Sequence, residues 1–128
     1  MILVDTNIII NFWKNPSEKI AAVFTSEDIV ICGIVKAELL HGARSEKDFN
    51  KIIEALSEFP LLEIGNDLWD FLGNVLFRLR RNGLTIPFQD AVLTALALMN
   101  NARLWTDDKH FQLVAPVFPD LMFFTTDQ

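Results

Sequence analysis

Four carboxylates of the 128-residue chain stand where an apolar or neutral residue would cost less. Asp5 directly follows the apolar Ile2-Leu3-Val4, and Asp108 comes just past Leu104-Trp105-Thr106. Glu38 shares a helical face with Ile34, Val35, His41 and Gly42 by the i±3 and i±4 rule. Asp90 lies in the first turn of a nearly all-apolar helix, over Leu93 and Thr94. A charged carboxylate in such surroundings is costly unless it is paired or coordinates a metal. Nearby cations are few: Lys36, Arg103 and Lys109. A hard divalent cation would account for all four acids at once. An all-oxygen set without clustered Cys or His favours Mg²⁺ or Mn²⁺ over zinc. Each acid also has a plainer role taken alone. Asp5 could cap a helix, Asp90 could answer a helix dipole, Glu38 could sit at a half-exposed edge, and Asp107-Asp108 could be turn residues. Convergence on one cleft is what separates the two readings.

Positioning these groups requires strands that alternate with helices. A short buried strand starts at Ile2, and Asp5-Thr6 stops it and opens a helix through Ile8-Ile9-Ile10 and Phe12-Trp13. Asn15-Pro16-Ser17 breaks that helix, and residues 18–24 read as a second one. The β-branched run 28–32 predicts a second strand. Helices over 33–43 and 46–59 follow, then a third strand over 61–64. Leu68, Phe71, Leu72, Val75, Leu76 and Leu79 form a complete core stripe, ended by Asn82-Gly83. Pro87 suits the first turn of a central buried helix over 88–100. A fourth strand over 103–106, a short helix over 109–114 and a fifth strand over 121–124 complete the chain. This alternation predicts an α/β domain with a mostly parallel sheet of four or five strands covered on both faces. In such sheets ligands sit at the carboxyl ends of the strands, where Asp5 and Asp108 stand.

Composition agrees. The length predicts one domain over 1–128. Hydrophobic content of 51% with 22% charged residues excludes a disordered chain. The single cysteine, Cys32, excludes an internal disulfide and a Cys-rich zinc site, and it reads as inert core. No run is apolar enough for a membrane span, and the opening Met1-Ile2-Leu3-Val4-Asp5 carries no basic leader, so a cytoplasmic protein is expected. The net charge of −6 argues against gripping nucleic acid by charge alone. It does not decide the matter, because carboxylates that hold cations no longer repel phosphate.

The motifs resemble those of one family. Asp5-Thr6-Asn7 after the first strand is similar to the opening motif of PIN-domain nucleases. Glu38 within Val35-Lys36-Ala37-Glu38-Leu39-Leu40-His41-Gly42-Ala43 looks like the family's acid-bearing helix. Asp90 in Ile86-Pro87-Phe88-Gln89-Asp90-Ala91 resembles the third acid position, with Gln89 where many relatives carry a small polar or acidic residue. Thr106-Asp107-Asp108-Lys109-His110-Phe111 is similar to the final motif, in a register that makes Asp108 the fourth acid and Asp107 the filler. Length and order look like the VapC-type toxins of toxin–antitoxin pairs. The resemblance implies a three-layer α/β/α PIN-like fold, a homodimer, and a protein antitoxin that covers the cleft. It also implies Asp5, Glu38, Asp90 and Asp108 as catalytic metal ligands.

The chemistry implied is metal-dependent cleavage of RNA. Such an ion polarises a phosphate and lowers the pKa of water. In-line attack then leaves 5′-phosphate and 3′-hydroxyl ends, unlike cyclisation through the 2′-OH. Thr6, Asn7, Thr106 and Asp107 are candidate supporting groups; Lys36, Arg44 and Lys109 are candidate phosphate contacts. Arg78, Arg80 and Arg81 read as a solvated helix end, and His41 and His110 as packing or surface residues. The 11 Phe and 3 Trp exceed what such a core readily hides, so Phe12-Trp13 and Trp69-Gly73-Phe77 are expected in exposed patches that mark interfaces. The alternatives are a catalytically silent PIN-fold binding module and a metal-dependent phosphatase. The haloacid-dehalogenase pattern fails, because Asn7 stands where its second Asp is needed.

Overall fold

The computed structural model describes residues 1–126. In chain order its elements are β1 (Ile2–Val4), α1 (Thr6–Lys14), α2 (Glu18–Ser26), β2 (Ile29–Cys32), α3 (Gly33–His41), α4 (Glu46–Leu56), β3 (Leu61–Leu62), α5 (Asp67–Arg81), α6 (Phe88–Met99), β4 (Arg103–Trp105), α7 (His110–Val114) and β5 (Met122–Phe123). The five strands form one sheet in the order β3-β2-β1-β4-β5, and every pairing is parallel. Parallel strands need crossovers, and right-handed crossovers place α1–α4 on one face and α5–α7 on the other. Contacts of α1 with α3, α3 with α4, and α5 with α6 agree with that layering. The result is the expected three-layer α/β/α architecture.

Local chemistry sets the boundaries. Ser17 Oγ accepts from Ile20 N–H at 3.1 Å and starts α2 one residue after the Pro16 break. Ser45 Oγ caps α4 by accepting from Asp48 N–H at 3.0 Å. That helix ends at Leu56, short of the expected residue 59, because Ser57 Oγ bonds back to the Glu54 carbonyl at 2.6 Å and the chain turns before Pro60. The strands β3 and β5 are two residues each, shorter than their apolar runs; just outside them, the Phe124 N–H still donates to the Leu104 carbonyl at 2.9 Å and the Pro60 carbonyl accepts from Ile31 N–H at 3.1 Å. Strand β4 stops at Trp105, which leaves Thr106 free to turn into the site.

The core centres on β1, whose residues are completely buried, and on α6, where every residue from Asp90 to Ala97 is buried. Leu68, Leu72, Val75 and Leu79 carry α5 onto it. The order of strand addition reverses about β1: its first crossover leads to β2 on one side, while β4 joins on the other. The carboxyl ends of β1 and β4 therefore meet at a topological switch point, the place where such sheets form a crevice.

Candidate functional site

Asp5 is the first residue after β1, tied to its neighbour strand by its N–H, which donates to the Trp105 carbonyl at 2.9 Å. Its carboxylate is buried and held at both ends. Oδ1 accepts from Thr6 N–H at 2.7 Å, and Oδ2 accepts from the Thr106 hydroxyl at 2.7 Å. Thr106 in turn accepts from Asp108 N–H at 3.0 Å, so a single hydroxyl couples the first acid to the loop carrying the last. Asp90 is buried in the first turn of α6. Asp108 is half-buried, and its Oδ1 accepts from His110 N–H at 2.9 Å in a tight local turn. That turn folds the imidazole back over the cluster. His110 Nδ1 lies 3.3 Å from Asp90 Oδ2 and 3.1 Å from Asp108 Oδ1.

Electrostatics identify an under-compensated cluster. Burial pushes the Asp90 carboxyl from its ordinary 3.8 to about 6, with the charges of Asp108 and Asp5 adding to the rise and His110 opposing it. Burial likewise raises Asp5, against the hydrogen bonds from Thr106 and Thr6, and Asp108 and Asp107 push the same way. Among the described residues no Lys or Arg is ion-paired to any of these acids. Asp5, Asp90 and Asp108 thus repel one another in a partly dry crevice.

The donor set suits a hard cation. Asp90, Asp108 and His110 each offer a ligand atom, and these three atoms lie within 4.8 Å of one another. An octahedral ion with bonds of about 2.1 Å spaces adjacent ligands about 3 Å apart. The two Nδ1–Oδ separations are close to that edge. His110, read from the sequence as a packing or surface residue, is exposed as expected, but the contact of its ring with both acids was not foreseen. The signal available was its place two residues after an Asp, where a local Asx-type turn brings the ring back over the carboxylate.

The remaining candidates divide. Glu38, expected on a covered helical face, is exposed, because that face of α3 runs out into the open cleft. It is linked to the cluster through Thr6, whose hydroxyl donates to Glu38 Oε1 at 3.2 Å. Asp107 is exposed and turned away, accepting from Asn11 Nδ2 of α1 at 3.0 Å. Asn7 is exposed at the start of α1. Lys36 is half-buried, Arg44 and Lys109 are exposed, and none of the three is ion-paired among the described residues. Arg78 is engaged by its own fold: it donates to the Val117 carbonyl at 3.3 Å and lies 4.6 Å over the Phe118 ring. Cys32 is fully buried, and burial pushes its thiol up, in keeping with an inert core role. A cavity of about 590 Å³ between α5, the end of α6 and the approach to β5 is lined by Arg78 but by none of the candidate acids. Asp5, Asp90 and Asp108 gather instead beside the ends of β1 and β4, joined by Thr106 and His110. No helix among the described residues is long and apolar enough to cross a membrane.

Comparison with known proteins agrees with this fold. The PIN domain profile matches residues 2–116. The chain superimposes on the structure of VapBC-1 from nontypeable Haemophilus influenzae with a TM-score of 0.83 and 27% identity, covering 100% of both chains. DNA-bound VapBC from Salmonella typhimurium gives a TM-score of 0.85 at 21% identity, covering 98% of this chain and 97% of that one. A toxin–antitoxin complex from Klebsiella pneumoniae gives 0.73 at 22%, covering 100% and 99%. The last two likenesses speak to the fold alone. No curated protein sequence matches significantly.

Proposed function

Because the chain belongs to the PIN-domain family, we propose that it is a metal-dependent endoribonuclease, the toxin of a toxin–antitoxin pair, with 1–128 acting as one cytoplasmic nuclease domain. The observation that carries this reading is the strand-end cluster: Asp5, Asp90 and Asp108 in mutual repulsion, with no Lys or Arg paired to them among the described residues. A fold bears such a cost where an ion is to be held. Asp5, Glu38, Asp90 and Asp108 would hold it. Bound there, Mg²⁺ or Mn²⁺ would polarise the scissile phosphate and supply a water nucleophile near neutral pH.

The chain's own residues set up that chemistry. Thr6 N–H and the Thr106 hydroxyl orient both oxygens of Asp5 in advance. Thr6 also aims Glu38, and His110 holds Asp90 and Asp108 in register. Lys36, Arg44 and Lys109, next to the acidic motifs in sequence and without an ion pair among the described residues, contact the RNA phosphates. In-line displacement leaves 5′-phosphate and 3′-hydroxyl ends. The partners are an RNA substrate, a protein antitoxin over the cleft, and a second copy of the chain. The kinship with VapBC-1 at 27% identity supports the antitoxin.

The test is cleavage of structured RNA with Mg²⁺ or Mn²⁺ against an EDTA control, with product ends identified. Asp5→Asn, Glu38→Gln and Asp90→Asn should each lose a factor of roughly 10²–10³ or more, because transition-state charge stabilisation is usually the largest catalytic term. Calorimetric titration should show Mn²⁺ binding lost in step. Cleavage that persists in EDTA, or leaves 2′,3′-cyclic ends, overturns the metal mechanism.

A further inference from the structure

The loop after β4 does more than carry Asp108. With α7 and the end of β5 it walls a small cavity of about 220 Å³, which Asp108 itself lines. Three rings stand in the wall, and they are not equivalent. Phe111 is fully buried, and Phe124 is committed to the core, edge-on to Trp105 at 5.1 Å between centroids. Phe123 is left 36% exposed on the edge strand and pairs with no ring among the described residues. The polar groups divide in the same way. The Thr106 hydroxyl serves Asp5 and Asp108 N–H, and Asp107 is engaged by Asn11. Gln112 and Thr125 stand exposed on the rim.

We propose that this cavity is a nucleobase subsite: it takes one unpaired base of the RNA beside the phosphate being cut, stacked on Phe123 with its edge against Gln112. The inference rests on the nuclease reading above and names the form of RNA that reading requires, a strand with one base free to turn out. A base held in a duplex is stacked on both sides and paired along its edge, so it cannot lie flat on a protein ring.

Size, charge and position select the occupant. The cavity falls below the roughly 300–1,000 Å³ of pockets for drug-sized ligands, so it admits one ring system and not a whole nucleotide. Asp107 and Asp108 line it, which repels a phosphate but not an uncharged base. Asp108 also belongs to the cluster with Asp90 and His110, so a phosphate held at that cluster brings its own base to the cavity mouth. A guanidinium also stacks on rings, but its edge is all donors. The Gln112 amide offers a donor and an acceptor side by side, which complements the mixed edge of a base.

The test is a short single-stranded RNA carrying 2-aminopurine at one position at a time, titrated into the full chain in Ca²⁺, a hard cation that carboxylates bind. Its readout is fluorescence, not cleavage. One position should change its emission on binding, as that base leaves its neighbours for the ring. Phe123→Leu keeps the apolar bulk that packs β5 but has no ring face, so it should lose the emission change and weaken binding by about five- to a hundredfold. Phe123→Tyr keeps the ring face and should restore both. Gln112→Ala should weaken binding by a smaller factor, and a duplex of the same sequence should compete about tenfold less well or worse. Circular dichroism confirms that each variant is folded. Cleavage of the same RNA in Mn²⁺, run in parallel, separates two failures. Cleavage with no responsive position, a Phe123→Leu variant that responds as fully as the unmodified protein, or a duplex that competes equally overturns the subsite and leaves the nuclease reading standing. So does an arginine-bearing peptide whose binding Phe123→Leu abolishes while RNA binding is untouched. Neither binding nor cleavage by the unmodified protein overturns both.

Discussion

Replacing Asp90 with asparagine should make the metal-free protein more stable while removing its ability to hold metal. The carboxyl is pushed from 3.8 to about 6, first by burial and then by the charges of Asp108 and Asp5. Raising a carboxyl's pKa by one costs its ionised form about 1.36 kcal/mol, so the ionised side chain costs the fold about 2–3 kcal/mol at neutral pH. Asparagine has the same shape and no charge, and its amide oxygen still accepts from His110. The sign is fixed by proton counting. Below pH 3.8 native and unfolded chains both carry the proton, and Asp90 contributes nothing. Between 3.8 and about 6 the native chain keeps a proton that the unfolded chain releases, so stability falls as pH rises. Above that window the full cost is present. Urea denaturation in EDTA at one protein concentration should therefore find Asp90→Asn roughly level with the unmodified protein near pH 4. By pH 7 it should be about 2–3 kcal/mol more stable, or about 6–12 °C in thermal midpoint at this chain length. Saturating Mn²⁺ should stabilise the unmodified protein and leave the variant unmoved. A variant less stable than the parent at pH 7 in EDTA, or a gap that does not change with pH, refutes the argument that Asp90 is held at a cost.

Two further substitutions separate neighbouring roles. Asp108 touches His110 whereas Asp107 faces Asn11, so Asp108→Asn should lose RNA cleavage by about 10²-fold or more and Asp107→Asn should stay within about tenfold; the opposite outcome in the same cleavage assay shifts the motif register by one residue. Thr106→Val removes the donor to Asp5 and the acceptor of Asp108 N–H. It should cost about 1–3 kcal/mol by urea denaturation and weaken Mn²⁺ binding in calorimetry, whereas stability and binding both unchanged would deny Thr106 its coupling role.

What the sequence made legible follows from the range of each signal. Periodicity is local, so the stripe Leu68-Leu72-Val75-Leu79 and the all-apolar α6 could be read with their burial, and the alternation of elements predicted the parallel sheet. Strand ends were less legible, because pairing ends a strand while the sequence pattern continues: residues 63, 64 and 121 lie outside the ladder, and Phe124 keeps only one backbone bond to Leu104. The strand-end acids could be singled out because Asp5 and Asp108 follow strands directly. The exposure of Glu38 could not, since a helical face shows which residues align but not where the face meets open solvent. Nor could the Asn11–Asp107 bond, which joins residues 96 positions apart.

The cleft also shows why this fold tolerates its own repulsion. Three acids of like charge would loosen a mobile loop, yet here two of them are anchored to the least deformable parts of the molecule. Asp5 continues the fully buried β1 and is tied by its N–H to β4. Asp90 sits in the first turn of a helix whose next seven residues are all buried. Only Asp108 lies on a loop, and it is fixed to Asp5 through the one Thr106 hydroxyl and to Asp90 through the one His110 ring. The rigid pair sets where a cation must go, and the loop acid is the one free to adjust to it. Loss of Thr106 or His110 should therefore disturb Asp108 first, leaving Asp5 and Asp90 in place.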